Sequence, residues 1–352
     1  MIDTTVVLLC HKRPQTFNRA MSFYEKYTKK LKIIVLVSGY KLKSYYKLKK
    51  KTKNIKIIFS KKKLNYKIEE GLKFVDTQFI VLCGIDDFIF YNSLIKCKNF
   101  LFKNKDYISC HGRYYLHKKA SELKNNQPFL IDVSSKSFSI SHKSSFQRAK
   151  HYLVENNTAS TNFYALFRTK LLKRILKLIN EYNNKAKIDP TISFEVMFCL
   201  LSHILGKTKH FEIMYSSKEK HKIIPNASLT ISKEKNLIKN FLKYINQELN
   251  SSLKLTQKDR INLDKLLIDK FNLILKRHSS NYFHKIIKIL KFLNLYKFVR
   301  KVHIIMSGIV NFDHRYTKKD YLEQEDLKRI IVKFTDVENE SNSSRENYVK
   351  NI

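Results

Sequence analysis

The chain has 352 residues, 43% of them hydrophobic and 12% aromatic, which suffices for a large folded core and excludes general disorder. Its formal charge of +39 favours anionic surfaces, yet only 12 of the 69 basic residues are Arg, the residue on which nucleic-acid readers depend most. No apolar run approaches the roughly 20 residues that span a bilayer, and residues 1–10 lack the basic segment of a signal peptide, so we expect a cytoplasmic protein.

The first 90 residues alternate between strand and helix patterns. Continuous apolar runs predict strands over 5–10, 31–37, 55–59 and 78–83. Helical spacing of apolar residues predicts helices over 16–27 and 66–75. Strands separated by helices at this interval are typical of βαβ units, so the predicted fold class is α/β, a Rossmann-like and mostly parallel sheet flanked by helices.

The remainder of the chain is more helical. The pattern predicts a strand over 107–110, helices over 162–180 and 192–205, and a strand over 211–215. From about residue 228 to 336 we expect a basic helical region, and from 337 to 352 a polar, disordered tail. Within that region, residues 284–306 are interpreted either as two amphipathic helices at a membrane surface or as a helical hairpin on the protein's own sheet.

Two adjacent acids follow the strand over 78–83. Asp86 and Asp87 come directly after it, and the carboxyl ends of parallel strands are where open α/β sheets bind ligands. Hard carboxylate oxygens in that position suit Mg²⁺ or Mn²⁺, which in turn binds phosphates. The alternative interpretation is a solvated turn in which an Asp caps the next helix.

The order of these motifs resembles the GT-A nucleotide-sugar transferases, in particular family 2-like glycosyltransferases of bacterial surface-polysaccharide synthesis. The first strand ends in Cys10-His11-Lys12-Arg13-Pro14, the second in Ser38-Gly39, and a helix carrying Glu70-Gly71 precedes the strand that ends near Asp86-Asp87. The resemblance implies a GT-A-like fold with a nucleotide-sugar half at 1–115, an acceptor-side half at 116–227 and a helical region at 228–336 outside it.

The resemblance also implies donor-binding residues and a metal site. Donor contacts fall on Cys10, His11, Arg13, Ser38 and Asp86, with Ser38 standing where the family usually has an Asp for the base. The metal ligands implied are Asp86, Asp87 and, late in the domain, His221, and the cofactor is Mn²⁺ or Mg²⁺. Gly84 stands where the family's metal motif has its first acid, a departure that leaves an inactive, scaffold-like transferase as one alternative.

A catalytic base and acceptor contacts are expected in the second half. Inverting transfer needs a carboxylate that takes the proton from the acceptor hydroxyl. Glu195, at the start of the apolar helix, matches the family's position best, and Asp189 is the second candidate; either acid also fits a helix-capping role. Tyr164 and Arg168, one helical turn apart in the predicted helix over 162–180, are the acceptor-side candidates.

Taken together, the resemblance implies a metal-dependent, inverting glycosyltransferase of the hexosyltransferase type. The expected donor is a nucleoside-diphosphate sugar, most simply a UDP-sugar, and the expected acceptor is a glycan or a lipid-linked glycan at an anionic membrane surface. We expect no nucleic-acid partner, although the charge keeps a basic nucleic-acid-binding protein as an alternative. A nucleotidyltransferase would need a Gly-rich phosphate loop after the first strand, and the sequence has none there.

Five cysteines without a C-x-x-C pair predict free thiols.

Overall fold

The structure is a computed structural model that describes most of the first 219 residues. The described residues are 2–11, 14–38, 54–117, 130–132, 138–155, 161–186, 193–219, scattered positions between 240 and 269, 323 and 325–330. Three predicted site residues, Arg13, Asp189 and His221, lie outside these ranges, as do the segment 284–306 and the tail 337–352.

Nine strands of the described residues form one sheet. They are β1 (Thr4–His11), β2 (Lys32–Ser38), β3 (Ile55–Phe59), β4 (Phe79–Gly84), β5 (Asp87–Ile89), β6 (Tyr107–His117), β7 (Leu130–Asp132), β8 (Leu166–Arg168) and β9 (Lys207–Glu219). Their order is β3-β2-β1-β4-β8-β6-β9-β5, with β7 on the side of β6. Strands β3, β2, β1 and β4 are parallel, β8 runs antiparallel to β4 and β6, and β5 runs antiparallel to β9.

Within the described part of residues 1–219, six α-helices connect and cover these strands. They are α1 (Pro14–Tyr24), α2 (Leu64–Leu72), α3 (Tyr91–Lys103), α4 (Ser145–Glu155), α5 (Thr169–Ala186) and α6 (Ser193–Leu205). Short 3₁₀ turns occupy Glu25–Tyr27 and Thr161–Tyr164. The predicted α/β fold class is confirmed.

Both faces of the parallel strands are buried, which explains their continuous apolar runs. Because side chains alternate across a strand, Val6 and Leu8 of β1 pack with α1 and α3, whereas Val7 packs with α2, α5 and α6. Gly71 of α2 allows that helix to approach β2 closely, since a Cβ there would lie 2.6 Å from Cδ2 of Leu36. The core therefore has two layers of helices, one on each side of the sheet.

The predicted helix over 162–180 is wrong in its first turns. Residues 166–168 form β8 instead, and α5 begins at Thr169. Leu166 and Phe167 are fully buried because β8 lies between β4 and β6, so pairing with distant strands outweighs the helical spacing of the local sequence.

The later parts of the chain that are described pack on this same domain. Phe241 and Ile245 join the core beside α5, and Leu327 joins the core on the opposite face. The carboxylate of Glu323 accepts hydrogen bonds from the backbone N–H of Tyr91 at 2.5 Å and from the hydroxyl of Tyr27 at 2.9 Å. None of the described helices combines the length and apolar character needed to cross a membrane. All five cysteines are buried thiols that form no disulfide, as predicted.

Candidate functional site

The carboxyl ends of β1, β2 and β4 meet at one edge of the sheet. The register pairs Leu9 with Gly84 and His11 with Ser38, so the segments after these three strands lie next to one another. Asp86 and Asp87 follow β4 in a tight turn into β5. The edge therefore carries the acids at the position where open α/β sheets bind ligands.

The two carboxylates converge over Gly84. A Cβ added to Gly84 would lie 2.8 Å from Oδ1 of Asp86 and 2.8 Å from Oδ2 of Asp87. Both oxygens lie 2.8 Å from one point, so their separation is at most about 5.6 Å by the triangle inequality. Asp86 is half-buried and Asp87 is only 7% exposed. The acids are thus held together in a partly enclosed position instead of projecting separately into solvent.

The turn that carries the acids is tied to the end of β9. The backbone N–H of Glu219 donates to the carbonyl oxygen of Asp86 at 3.2 Å. The Glu219 side chain, 9% exposed, forms an ion pair with Arg19 of α1, whose side chain is 7% exposed. Because both members of this pair are buried and joined, they fix the turn between β4 and β5 from the side of α1.

Tyr164 lies near enough to Asp87 and Glu195 for both negative charges to act on its phenol. The alternation along β4 points residue 84 to the face covered by α5 and α6, and Glu195 is half-buried in the first turn of α6. Burial, followed by the negative charges of Asp87 and then Glu195, raises the pKa of Tyr164 well above its usual range. The phenol therefore lies within electrostatic reach of both acids, on the side of the sheet where α6 begins.

A lysine that the sequence analysis missed lies at the end of β2. The ammonium of Lys67, in α2, donates to Oγ of Ser38 at 3.0 Å, and Oγ of Ser38 lies 3.0 Å from Nδ1 of His11. Lys67 is only 3% exposed, and burial lowers its pKa. The sequence places Lys67 four residues, or about one helical turn, before Gly71, and so on the face of α2 that approaches β2. That spacing is the signal that could have identified it.

Cys10 and Ser38 differ in what they offer to this edge. The Cys10 side chain is fully buried against the α1 side of the sheet, so any donor contact from this residue comes from its backbone. Ser38 and the exposed His11 both present side-chain polar atoms at the edge. Ser38, His11 and Lys67 therefore form a polar cluster at the ends of β1 and β2, which lie one and two strands away from β4.

Arg168 does not join the site. The pairing of β8 with β4 places Arg168 opposite Phe79, at the start of β4 and thus at the other edge of the sheet. Its guanidinium donates to the carbonyl oxygens of Tyr107 at 2.9 Å and Asn104 at 3.0 Å, which closes the end of α3. The prediction that Tyr164 and Arg168 lie one turn apart on a helix is therefore wrong, because residues 166–168 form the extended strand β8.

The acid pair fits a small divalent cation. Mg²⁺ is ordinarily bound by one or two carboxylates plus substrate phosphates, and two converging Asp side chains supply that set. In the part of the chain that the structure describes, no group of three or more His, Cys, Asp or Glu residues is arranged to hold a metal. A site built on Asp86 and Asp87 would therefore draw its remaining ligands from phosphate or water.

Comparison with known proteins identifies the fold. No family model matches the chain, and no curated protein matches its sequence. The structure is similar to that of S. aureus TarS residues 1–349 in complex with UDP-GlcNAc, with a TM-score of 0.51 and 12% identity over 80% of this chain and 75% of that chain. Another structure of TarS 1–349 gives a TM-score of 0.49 at 11% identity over 78% and 73% of the two chains. A structure of TarS gives 0.47 at 12% identity, over 80% of this chain and 44% of that one.

The similarity to the UDP-GlcNAc complex confirms the predicted fold. The chain has a GT-A-like, Rossmann-like architecture, with a mostly parallel sheet flanked by helices. Both predicted halves contribute strands to this one sheet, and β6 runs through the predicted boundary at residue 115.

Proposed function

We propose that the chain is a metal-dependent, inverting glycosyltransferase of the hexosyltransferase type. It transfers a sugar from a nucleoside-diphosphate donor, a UDP-sugar in the simplest case, to a growing surface glycan. The observation that carries the proposal is the convergence of Asp86 and Asp87 over Gly84 at the carboxyl edge of a GT-A-like sheet. The TarS structure that supports the fold is a complex with UDP-GlcNAc, which favours the same class of donor here.

In this proposal, different residues along the edge of the sheet bind different parts of the donor. The nucleoside lies over the ends of β1 and β2, where His11, Ser38 and the buried Lys67 offer polar contacts. Two strand spacings, about 10 Å, separate β2 from β4 and give room for a nucleoside whose diphosphate reaches the acids. Asp86 and Asp87 would hold Mg²⁺ or Mn²⁺, which supplies positive charge for the leaving diphosphate.

Glu195 is the proposed base. It takes the proton from the acceptor hydroxyl as that oxygen forms its bond to the anomeric carbon. The bond between the anomeric carbon and the donor phosphate oxygen breaks, and its electron pair leaves with the nucleoside diphosphate. Single displacement of this kind inverts the anomeric configuration. Tyr164 is the proposed contact to the sugar or the acceptor, because the charges of Asp87 and Glu195 both act on its phenol.

The acceptor side of the proposal rests on charge. The formal charge of +39 favours attachment to an anionic membrane surface, where a lipid-linked glycan would be extended. We therefore propose a cytoplasmic enzyme that is peripheral at the inner face of the plasma membrane.

A thermal-shift screen tests the proposal. UDP, CDP, GDP and ADP are each added with Mn²⁺ or with EDTA, and we expect one of them to raise the melting temperature selectively in the presence of Mn²⁺. The Asp86→Ala variant should keep its melting temperature without ligands and lose the metal-dependent increase. No shift with any nucleotide in the natural chain would favour an inactive scaffold, and a shift with RNA or DNA that vanishes at high salt would favour nucleic-acid binding.

A further inference from the structure

A cationic side chain at the end of β9 lies beside the two acids. The antiparallel register of β5 and β9 pairs Asp87 directly with Lys218. Residues directly opposite each other on antiparallel strands place their Cβ atoms about 5 Å apart on the same face of the sheet. Lys218 therefore emerges next to Asp87, although 131 positions separate the two residues in the sequence.

An aromatic ring holds the ammonium of Lys218 in place. Nζ lies 3.2 Å from the ring centroid of Tyr164 and 5.6 Å from that of Tyr114. Contact of a cation with the face of a ring is favourable, most so where water is partly excluded. The same register that pairs Lys218 with Asp87 therefore leaves its ammonium on the ring of Tyr164, next to the acid pair.

The positive charge of Lys218 is not consumed by an ion pair. The structure records no ion pair between this ammonium and a carboxylate of the described residues, whereas the next residue, Glu219, is paired with Arg19. A half-buried ammonium that rests on a ring retains N–H donors for an anionic ligand. An anion bound by Lys218 at this position would be the donor phosphate that also binds the cation held by the two acids.

We propose that Lys218 is a donor-binding residue whose ammonium binds the diphosphate of the nucleotide sugar beside Asp86 and Asp87. The inference rests on the proposed function and adds a fixed positive charge to it. The phosphate that leaves gains negative charge as its bond to the sugar breaks, so an ammonium already in place stabilises that stage more than the bound donor. Because Gly84 stands where a further acid would add a third negative charge, the site carries only the two negative charges of Asp86 and Asp87. The one positive charge of Lys218 offsets half of them.

Variants at position 218 test this assignment by binding alone. UDP affinity is measured by calorimetry, with CDP, GDP and ADP in parallel, for the natural chain and for Lys218→Gln, Lys218→Arg and Lys209→Gln. Lys209 is the matched control because it lies on the same strand with its ammonium 5.3 Å from the ring centroid of Phe211. Because a hydrogen bond to a charged group stabilises a complex more than a neutral one does, we expect Lys218→Gln to weaken diphosphate binding about tenfold or more. Lys218→Arg should retain most of the affinity, and Lys209→Gln all of it.

Two further comparisons separate the outcomes. The loss of nucleotide affinity in Lys218→Gln should be smaller for UMP than for UDP, and it should persist in EDTA. It should also shrink as the salt concentration is raised. A folded Lys218→Gln variant, judged by its circular dichroism and melting temperature, that binds the diphosphate like the natural chain overturns this assignment and leaves the transferase proposal standing. Failure of the natural chain to bind any of the four diphosphates, with or without Mn²⁺, overturns both.

Discussion

An alanine at position 84 should damage the proposed metal site without damaging the fold. The added Cβ would lie 2.8 Å from one carboxylate oxygen of Asp86 and one of Asp87, whereas ordinary contact begins at 3.4 Å. Each oxygen must therefore retreat by about 0.6 Å, which exceeds the roughly 0.2 Å within which metal–ligand distances are held. Because the displaced atoms are the ends of flexible side chains, the free energy of unfolding without metal should change by only about 1 kcal/mol.

The assay for Gly84→Ala is a Mn²⁺ titration in which electron paramagnetic resonance counts the free ion. With UDP present, we expect Mn²⁺ affinity to fall by about tenfold to a hundredfold, the loss usual when the groups around a metal ligand are disturbed. Gly84→Asp, which restores the acid of the family motif, should also weaken binding, because the carboxylates of Asp86 and Asp87 already occupy that space. Mn²⁺ affinity equal to that of the natural chain in both variants would refute the reasoning.

Two other expectations concern the base and pH. Glu195→Gln should lower the transfer rate by about 10²- to 10⁴-fold with donor affinity unchanged, and a near-natural rate would move the role to Asp189. Burial, then Arg113 and Lys209, lower the pKa of His210 from 6.5 to about 4, so its contribution to stability is complete above pH 6.5 and is lost as pH falls toward 4. The neighbouring His111, whose pKa burial lowers to about 3, contributes a loss of its own over the same range. In denaturant melts, His210→Gln should therefore remove on the order of 3 kcal/mol of the total loss, and His142→Gln, at an exposed position, should remove none.

The parallel half of the fold was predictable because its strands are buried on both faces. Strand β3 has its predicted bounds, 55–59, and β1, β2 and β4 begin and end within one residue of theirs. Continuous apolar runs between helices suffice for such strands, and the acids after β4 then fall at the edge of the sheet by geometry.

Strands whose existence depends on distant partners were not predictable in full. Strand β8 has three residues and a helical local pattern, and it forms because β4 and β6 lie on either side. Strand β9 spans 207–219 instead of 211–215, because its lysine-rich ends pair with β6 and β5 across about 100 residues of sequence or more. Periodicity within a short window carries no information about such pairs.

The same limit explains which site residues escaped the sequence analysis. Lys67 and Lys218 are two of 69 basic residues. The spacing to Gly71 marks the helix face on which Lys67 lies but not its burial, and nothing in the local sequence separates Lys218 from the others. What distinguishes Lys67 is burial at the end of β2, and what distinguishes Lys218 is a partner strand and a ring contributed by Tyr164. Both properties arise only when the chain is folded.

The end of β9 shows how one strand separates positioning from binding. Glu219 turns toward α1, pairs with Arg19 and holds the backbone of Asp86, so its charge is neutralised and its effect is structural. Lys218, one residue earlier, reaches Tyr164 beside Asp87 and keeps its charge. Because adjacent residues of a strand project to opposite faces, a fixed turn and an available cation can be supplied by two consecutive positions. A nucleotide that binds at this edge therefore meets acids whose backbone is already held in place and an ammonium that does not have to leave a carboxylate first.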